Sequence, residues 1–184
     1  HYIWSVPNYN KAVEYFKISL NLALKSQNFP QKAWSLSSIG MANWCKGAYK
    51  EALRHFEEAK HIVEDLGDKV AIAELEIWIS LMHFELDNIV KAKDAIEKSG
   101  KIYDTVASQR NKFEYVAANI FIRKELGLDY DIKELDQYLE AISKDKRIMH
   151  CMDWFYLYKA TDNIDSLDSA YKRLYELSER VDSN

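Results

Sequence analysis

The side chains with the clearest capacity for chemistry are five histidines and two cysteines. Metal ligands on a helix usually stand three or four residues apart, so that they share one face. The closest histidines, His55 and His61, are six residues apart and point to different sides of a helix. Cys45 and Cys151 lie far apart and outside any Cys-x-x-Cys pair, which is typical of buried thiols in a reducing compartment. We therefore expect no metal site, no disulfide framework and no cofactor.

Carboxylates also occur in pairs, but their spacing does not favour catalysis. Glu57 and Glu58 are adjacent, as are Glu64 and Asp65, and on a helix such neighbours usually form a solvated face. The sequence contains no Gly-rich phosphate loop, nucleophile elbow or kinase signature. We predict no catalytic residues and no enzymatic activity; an enzyme of unrecognised chemistry is the weakest alternative.

The charges of the chain are mixed rather than clustered. It has 25 Lys and Arg residues against 29 Asp and Glu residues, a net charge of −4. Binding to nucleic acid requires clustered basic charge, so we expect no nucleic-acid partner, and lysines such as Lys60 are expected to be exposed. No apolar run approaches the roughly 20 residues that cross a bilayer, and no secretory signal is present. We predict a cytoplasmic protein with no membrane contact.

Short turn signals divide the sequence into helical segments. Only five glycines and two prolines occur, and residues that favour helix dominate. Between turns such as Lys46-Gly47-Ala48, apolar residues recur three and four positions apart, as in amphipathic helices. This pattern predicts an all-α fold. The helices are predicted near residues 8–27, 31–46, 48–66, 69–86, 89–107, 110–126, 131–144, 147–161 and 165–180.

One pattern recurs along the chain at a fixed spacing. It has an alanine at its fourth position and Phe or Ile at its eighth, and it begins at Tyr9, Tyr49 and Ile89, with a constant offset of 40 residues. Weaker copies begin at Ile132 and Leu167. The small alanine lets an antiparallel helix approach closely, and the larger residue one turn later fills the gap toward the next repeat. The sequence thus predicts stacked pairs of antiparallel helices.

The second copy of the pattern resembles a tetratricopeptide repeat (TPR). The resemblance implies a right-handed α-α superhelix, a TPR-like solenoid of antiparallel helix pairs, over nearly the whole chain. The sequence departs from the family at Glu76, Ser80 and Arg123, where a large apolar residue or a glycine is preferred. The residues at the family's signature spacings are Leu36, Ile39, Gly40, Gly47, Tyr49, Ala52, Phe56 and Ala59.

The period of 40 residues is longer than the usual TPR period of about 34. Long repeats of this kind are typical of bacterial peptide-sensing phosphatases and transcription regulators, and of some eukaryotic polarity adaptors. HEAT repeats also have about 40 to 47 residues, but the Gly-x-Tyr-x-x-Ala turn that begins at Gly47 favours the TPR interpretation.

We predict a single helical-repeat domain that is a piece of a larger protein. Tyr2, Ile3 and Trp4 resemble the last turn of a helix whose earlier part is absent. Because solenoids need capped ends, we expect an apolar flank there, covered by preceding residues of a longer chain or by another copy in a homo-oligomer. The repeat units are predicted near residues 1–28, 29–67, 68–108, 109–145 and 146–184.

The TPR resemblance also implies that the first helix of each repeat lines a concave groove for a partner. Residues three and four apart share one side of each helix, and the predicted stripes are largely apolar, as binding sites often are. Packing of Trp34 and Trp44 between helices is the alternative. The predicted groove residues are Trp34, Ser37, Met41 and Trp44, then Glu74, Ile77, Leu81 and Phe84, then Ala117, Ile120 and Lys124, and finally Met152, Phe155 and Lys159.

These features predict a module that binds a protein or peptide and acts as a scaffold or adaptor. The alternative is a sensor or regulatory TPR domain of a bacterial signalling protein or transcription regulator. The family's clamp for acidic heat-shock tails needs Lys and Asn at places held here by Ser37 and Met41. An acidic C-terminal tail in the groove is therefore not the expected ligand.

Overall fold

The structure, a computed structural model, describes residues 9–106, 109–133, 135–137, 157–166, 168 and 172. Those residues form helices and turns and contain no strand. The first six predicted helices are confirmed to within four residues at either end, whereas the segments predicted after residue 130 lie mostly outside the described residues. The helices are α1 (Tyr9–Lys25), α2 (Phe29–Cys45), α3 (Tyr49–Leu66), α4 (Lys69–Glu85), α5 (Ile89–Tyr103) and α6 (Gln109–Glu125).

The turns that follow α1, α2, α3, α4 and α6 share one structure. In each, a residue with positive φ ends the helix, and the next N–H group donates to the carbonyl oxygen five residues earlier. Asn28 donates to Ala23 at 2.9 Å and Asp68 to Val63 at 3.0 Å, for example. This is the Schellman motif, which turns the chain back on itself. The residues with positive φ are Gln27, Gly47, Gly67, Asp87 and Gly127.

Side-chain caps start two of the helices. The carboxamide oxygen of Asn28 accepts from the N–H of Gln31 at 3.0 Å, and the carboxylate of Asp68 accepts from Ala71 at 3.1 Å. Both caps satisfy donors that the first helical turn leaves open. They fix where α2 and α4 begin, and so which residues each helix turns toward its neighbours.

The helices α2 and α3 pack closely at a glycine. A Cβ atom added to Gly40 would lie 2.6 Å from Cε1 of Phe56, whose side chain is fully buried. Of the alanines that recur every 40 residues, Ala52 and Ala92 are fully buried and Ala12 is half-buried. The predicted role of small residues at the helix contacts is thus confirmed for α3 and α5.

Serines join α4 to α5. The Ser80 hydroxyl donates to the carbonyl oxygen of Ala92 at 2.6 Å, and the Ser99 hydroxyl donates to that of Ala73 at 2.9 Å. All four residues are fully buried, so each hydroxyl is satisfied inside the core. The first bond links the end of α4 to the start of α5, and the second links the start of α4 to the end of α5. The two helices are therefore antiparallel.

A buried ion pair joins α3 to α4. Lys60 Nζ lies 2.9 Å from Glu76 Oε1, and the two side chains are 20% and 5% exposed. Lys60 also lies 3.9 Å from the Glu64 carboxylate. The expectation that Lys60 is an exposed residue is therefore wrong, because its ammonium group is the partner of a carboxylate that is shielded from water.

The chain divides into two compact units, residues 1–102 and 103–184. The first contains α1 to α4 and most of α5. In the second, α6 buries apolar side chains that include Phe113 and Ile122, and Lys159 Nζ stands 4.9 Å from the centre of the Phe121 ring. The predicted division into five repeat units stays a prediction.

Candidate partner-binding surface

The predicted groove stripe of α2 is accessible at one end. Trp34 is 55% exposed, whereas Ser37, Met41 and Trp44 are half-buried. Part of the Trp34 ring packs edge-on against Phe16 of α1, with the ring centres 5.7 Å apart. The indole is therefore held in position and still presents about half of its surface to solvent. We call Trp34, Ser37, Met41 and Trp44 the α2 surface.

The stripe of α4 is mostly covered. Ile77 and Leu81 are 0% and 4% exposed, and Glu74 and Phe84 are half-buried. The two aliphatic side chains therefore offer almost no surface to a ligand in this conformation. The sequence pattern placed the four residues on one side of a helix, but it did not show that the middle of this side is buried.

The stripe of α6 is covered as well. Ala117 and Ile120 are buried, at 0% and 3% exposure, and Lys124 is engaged with the carboxylate of Asp162. Lys159 is half-buried, while Met152 and Phe155 lie outside the described residues. Whether a partner contacts any of the predicted groove residues stays a prediction, and the exposed ones to consider first are on α2.

The exposed residues of α2 stand out when the repeats are compared. The residue 40 positions after Trp34 is Glu74, and the residue 40 positions after Phe29 is Lys69. Phe29 is 54% exposed at the start of α2, and the groove prediction did not include it. Both positions of the repeat are thus aromatic in α2 and charged in α4, so the fold does not require an apolar residue at either of them.

A polar cleft of about 410 Å³ lies beside the second half of α6. Arg123, which replaces the small residue of the TPR pattern, donates from Nε to the carbonyl oxygen of Asp129 at 2.5 Å. The cleft combines a guanidinium group, carboxylates, a carboxamide and a hydroxyl group, which suits hydrogen bonding more than apolar burial. Its lining residues are Asn119, Ile120, Arg123, Asp129, Tyr130 and Asp131.

Three further observations concern metal binding, the cysteines and the apolar character of the helices. Among the described residues, no three His, Cys, Asp or Glu side chains are grouped so that they could hold a metal ion. Cys45 is exposed, which contradicts its expected burial, because α2 ends at this residue and its last turn reaches the surface. Cys151 lies outside the described residues. None of the described helices is long and apolar enough to span a bilayer.

His83 is a buried titratable group on α4. Its residue surface is 7% exposed, and its Nδ1 atom has no hydrogen-bond partner among the described residues. Burial lowers the pKa of His83, and the Lys91 ammonium lowers it further, whereas Glu57 and Glu76 act in the opposite direction. The folded protein therefore holds this imidazole in its neutral form to a lower pH than the unfolded chain does.

We expect the protein to lose stability as the pH falls below about 6.5, the ordinary pKa of histidine. Below pH 6.5 the unfolded chain binds a proton at His83 that the folded protein does not. The stability that His83 contributes is therefore full above pH 6.5 and decreases as the pH falls toward the lower pKa that His83 has in the folded protein. Urea denaturation between pH 7.5 and 5 should show that the free energy of unfolding decreases less for His83→Gln than for the wild type. His61→Gln is the control, since the side chain of His61 is 79% exposed on α3. Equal pH slopes for His83→Gln and the wild type would contradict the prediction.

Comparison with known proteins supports the fold. No protein-family model matches this chain, and no curated protein matches it. Among solved structures, the crystal structure of the apo form of RapI is similar, with a TM-score of 0.63 and 18% sequence identity. The similarity covers 96% of this chain and 64% of the RapI chain, so this chain spans less than two thirds of RapI. At this identity the likeness concerns the fold alone: the chain has an all-α, helical-repeat fold.

Proposed function

We propose that this chain is a TPR-type module that binds a protein or peptide at the α2 surface and acts as a scaffold or adaptor, without catalysis. The observation that carries the proposal is Trp34: a large aromatic side chain, 55% exposed, at a repeat position where α4 has Glu74. Exposed aromatic residues of this kind dominate the binding energy at protein interfaces.

The surroundings of Trp34 support an anchor. Phe16 holds one edge of the indole, which reduces the conformational entropy that a partner must overcome on binding. Met41 and Trp44 continue the same side of α2 as half-buried apolar residues, and methionine adapts readily to different partners. A peptide or helix that lies along α2 would therefore meet one exposed anchor and a partly covered apolar floor.

A regulatory role is the second candidate. The 40-residue period and the similarity to RapI in fold favour a sensor domain in which peptide binding controls an effector. Both roles need a polypeptide ligand, so the first test is the same for both. The predicted cytoplasmic location, the absence of a nucleic-acid partner and homo-oligomer formation stay predictions.

We expect Trp34→Ala to weaken peptide binding by about thirtyfold or more, since truncation of an aromatic anchor commonly costs about 2 kcal/mol. Peptides selected against the wild type from a displayed library serve as ligands, and affinity is measured by fluorescence anisotropy. Val90→Ala is the matched control, because Val90 is an exposed apolar residue on α5, at 83% exposure.

Thermal melting of each variant separates binding from folding. Trp34→Glu is a second variant, because Glu74 shows that α4 accepts glutamate at the equivalent place. If either Trp34 variant is folded and binds the selected peptides as tightly as the wild type, the α2 surface is not the binding site.

A further inference from the structure

The outward side of α1 carries an apolar stripe with a lysine at each end. Tyr15, Ile18 and Leu22 are 61%, 56% and 62% exposed. Lys11 and Lys25 continue the series, which has spacings of four, three, four and three residues and therefore follows one side of the helix. Lys11 Nζ stands 6.0 Å from the centre of the Tyr15 ring. We call these five residues the α1 stripe.

Two positions of the α1 stripe are less exposed in the later repeats. Forty residues after Tyr15 stands His55, which is half-buried, and after another 40 stands Ala95, which is 4% exposed. Leu22 corresponds in the same way to Ile62, which is half-buried. The antiparallel helices α2 and α4 pack on another side of α3 and α5, through Phe56 and through Ala92 and Ser99. At these two positions the α1 stripe is more exposed than its equivalents in the later repeats.

Ile18 widens the open surface beyond what the repeat requires. Its equivalents are Glu58 in α3 and Lys98 in α5, whose side chains are 46% and 52% exposed. The fold therefore accepts a charged, solvated residue at this position. The packing of the repeat therefore does not account for an isoleucine that is 56% exposed at the same place.

The charge of α1 indicates which helix would fit. The helix has three lysines, Lys11, Lys17 and Lys25, against a single acidic residue, Glu14. If a second copy of α1 packed antiparallel on the stripe, Lys11 of each copy would face Lys25 of the other, and like charges repel. Acidic residues at both ends of an apolar stripe would instead complement the two lysines.

We propose that the α1 stripe docks an amphipathic helix of a protein partner, one whose apolar stripe is flanked by Asp or Glu residues. Helix docking by an apolar side with three- and four-residue spacing is a general mode of recognition. The site lies on α1 and is independent of the α2 surface.

The test uses two synthetic helical peptides that share one leucine stripe and differ in their flanking residues, which are glutamates in one and lysines in the other. Fluorescence anisotropy should show that the glutamate peptide binds the wild type about tenfold more tightly than the lysine peptide. Ile18→Glu should weaken binding of the glutamate peptide by about tenfold or more, corresponding to roughly 1.4 kcal/mol. Val90→Glu, with the same charge change at an exposed position of α5, should leave it unchanged.

Further variants guard against a failure to fold and against confusion with the α2 surface. The double substitution Lys11→Glu with Lys25→Glu should reverse the preference toward the lysine peptide while the helix content stays constant. Trp34→Glu should not change the affinity for either synthetic peptide. The proposal for the α1 stripe and the proposal for the α2 surface can therefore be refuted independently. Equal affinities for both peptides, or an unaffected Ile18→Glu variant, would overturn the proposal. So would a dimer of the wild type in sedimentation that Ile18→Glu dissociates, because the occupant would then be a second copy.

Discussion

Replacing Lys60 with leucine should destabilise the protein by about 2 to 4 kcal/mol. The substitution leaves the Glu76 carboxylate, whose side chain is 5% exposed, without the ammonium group that lies 2.9 Å away. A buried charge without a partner costs far more than the loss of an exposed ion pair. The free energy of unfolding from urea denaturation measures the effect, and a loss below about 1 kcal/mol would contradict the prediction.

The two partners should respond unequally. In Glu76→Leu, Lys60 keeps contact with water and with Glu64, so we expect a loss of at most about 1 kcal/mol. The double variant Lys60→Leu with Glu76→Leu should be close to the wild type or more stable, because well-packed apolar residues often replace buried ion pairs without loss. The preceding repeat has an apolar pair at the equivalent positions. Forty residues before Lys60 and Glu76 stand Leu20 and Leu36.

The positions of the helices could be predicted because residues that favour turns recur between the helical segments. Each of the turns after α1, α2, α3, α4 and α6 has a residue suited to positive φ, or one that the Schellman bond holds there, and these turns recur at multiples of 20 residues. Gly47, Gly67 and Gly127 are readable signals of this kind. Gln27 is not, and the end of α1 was found only because Asn28 and Pro30 begin the next helix.

The accessibility of the groove stripe could not be predicted from periodicity. Spacing of three and four residues shows which side chains share one side of a helix, but not whether that side is covered. A second signal was present in the sequence of α4: its apolar residues include Leu75, Ile77, Ile79 and Met82, which point in several directions around a helix. A helix that is apolar nearly all round is buried nearly all round. This signal would have placed Ile77 and Leu81 in the core.

Comparison between repeats carries information that a single repeat does not. The pair Lys60 and Glu76 replaces two leucines by opposite charges, and that joint change was a readable sign of an ion pair between α3 and α4. The same comparison separates Trp34 and Ile18 from the apolar residues that the fold requires. The part of the interpretation that no internal comparison could supply is the partner, since its residues are not in this chain.

Gly40→Ser should destabilise the protein by about 2 kcal/mol or more. The new Cβ would lie 2.6 Å from Cε1 and 2.8 Å from Cδ1 of Phe56, and the Phe56 ring cannot easily move, since it is fully buried and its centre is 5.3 Å from that of Trp78. Overpacking of this kind typically costs about 1 to 3 kcal/mol. Serine favours the helix over glycine by roughly 0.5 kcal/mol, which is too little to offset the clash.

The third repeat shows how the clash can be removed. Forty residues after Gly40 and Phe56 stand Ser80 and Ile96, so a serine in the first helix of the pair occurs with a smaller residue in the second. Phe56→Ile alone should cost about 2 to 4 kcal/mol through lost burial and a cavity. In the double variant the serine occupies part of that space, and its hydroxyl can donate to the carbonyl of Ala52, as Ser80 donates to Ala92.

We therefore expect the double variant Gly40→Ser with Phe56→Ile to be more stable than the sum of the two single losses by about 1 to 2 kcal/mol, a coupling typical of residues in contact. Urea denaturation of the wild type, both single variants and the double variant completes the cycle. Gly40→Ser with Val90→Ala, two sites in different helix pairs, is the additive control. If the losses of Gly40→Ser and Phe56→Ile add as the control losses do, the two residues do not share one packing site, and the correspondence between the repeats fails at this helix contact.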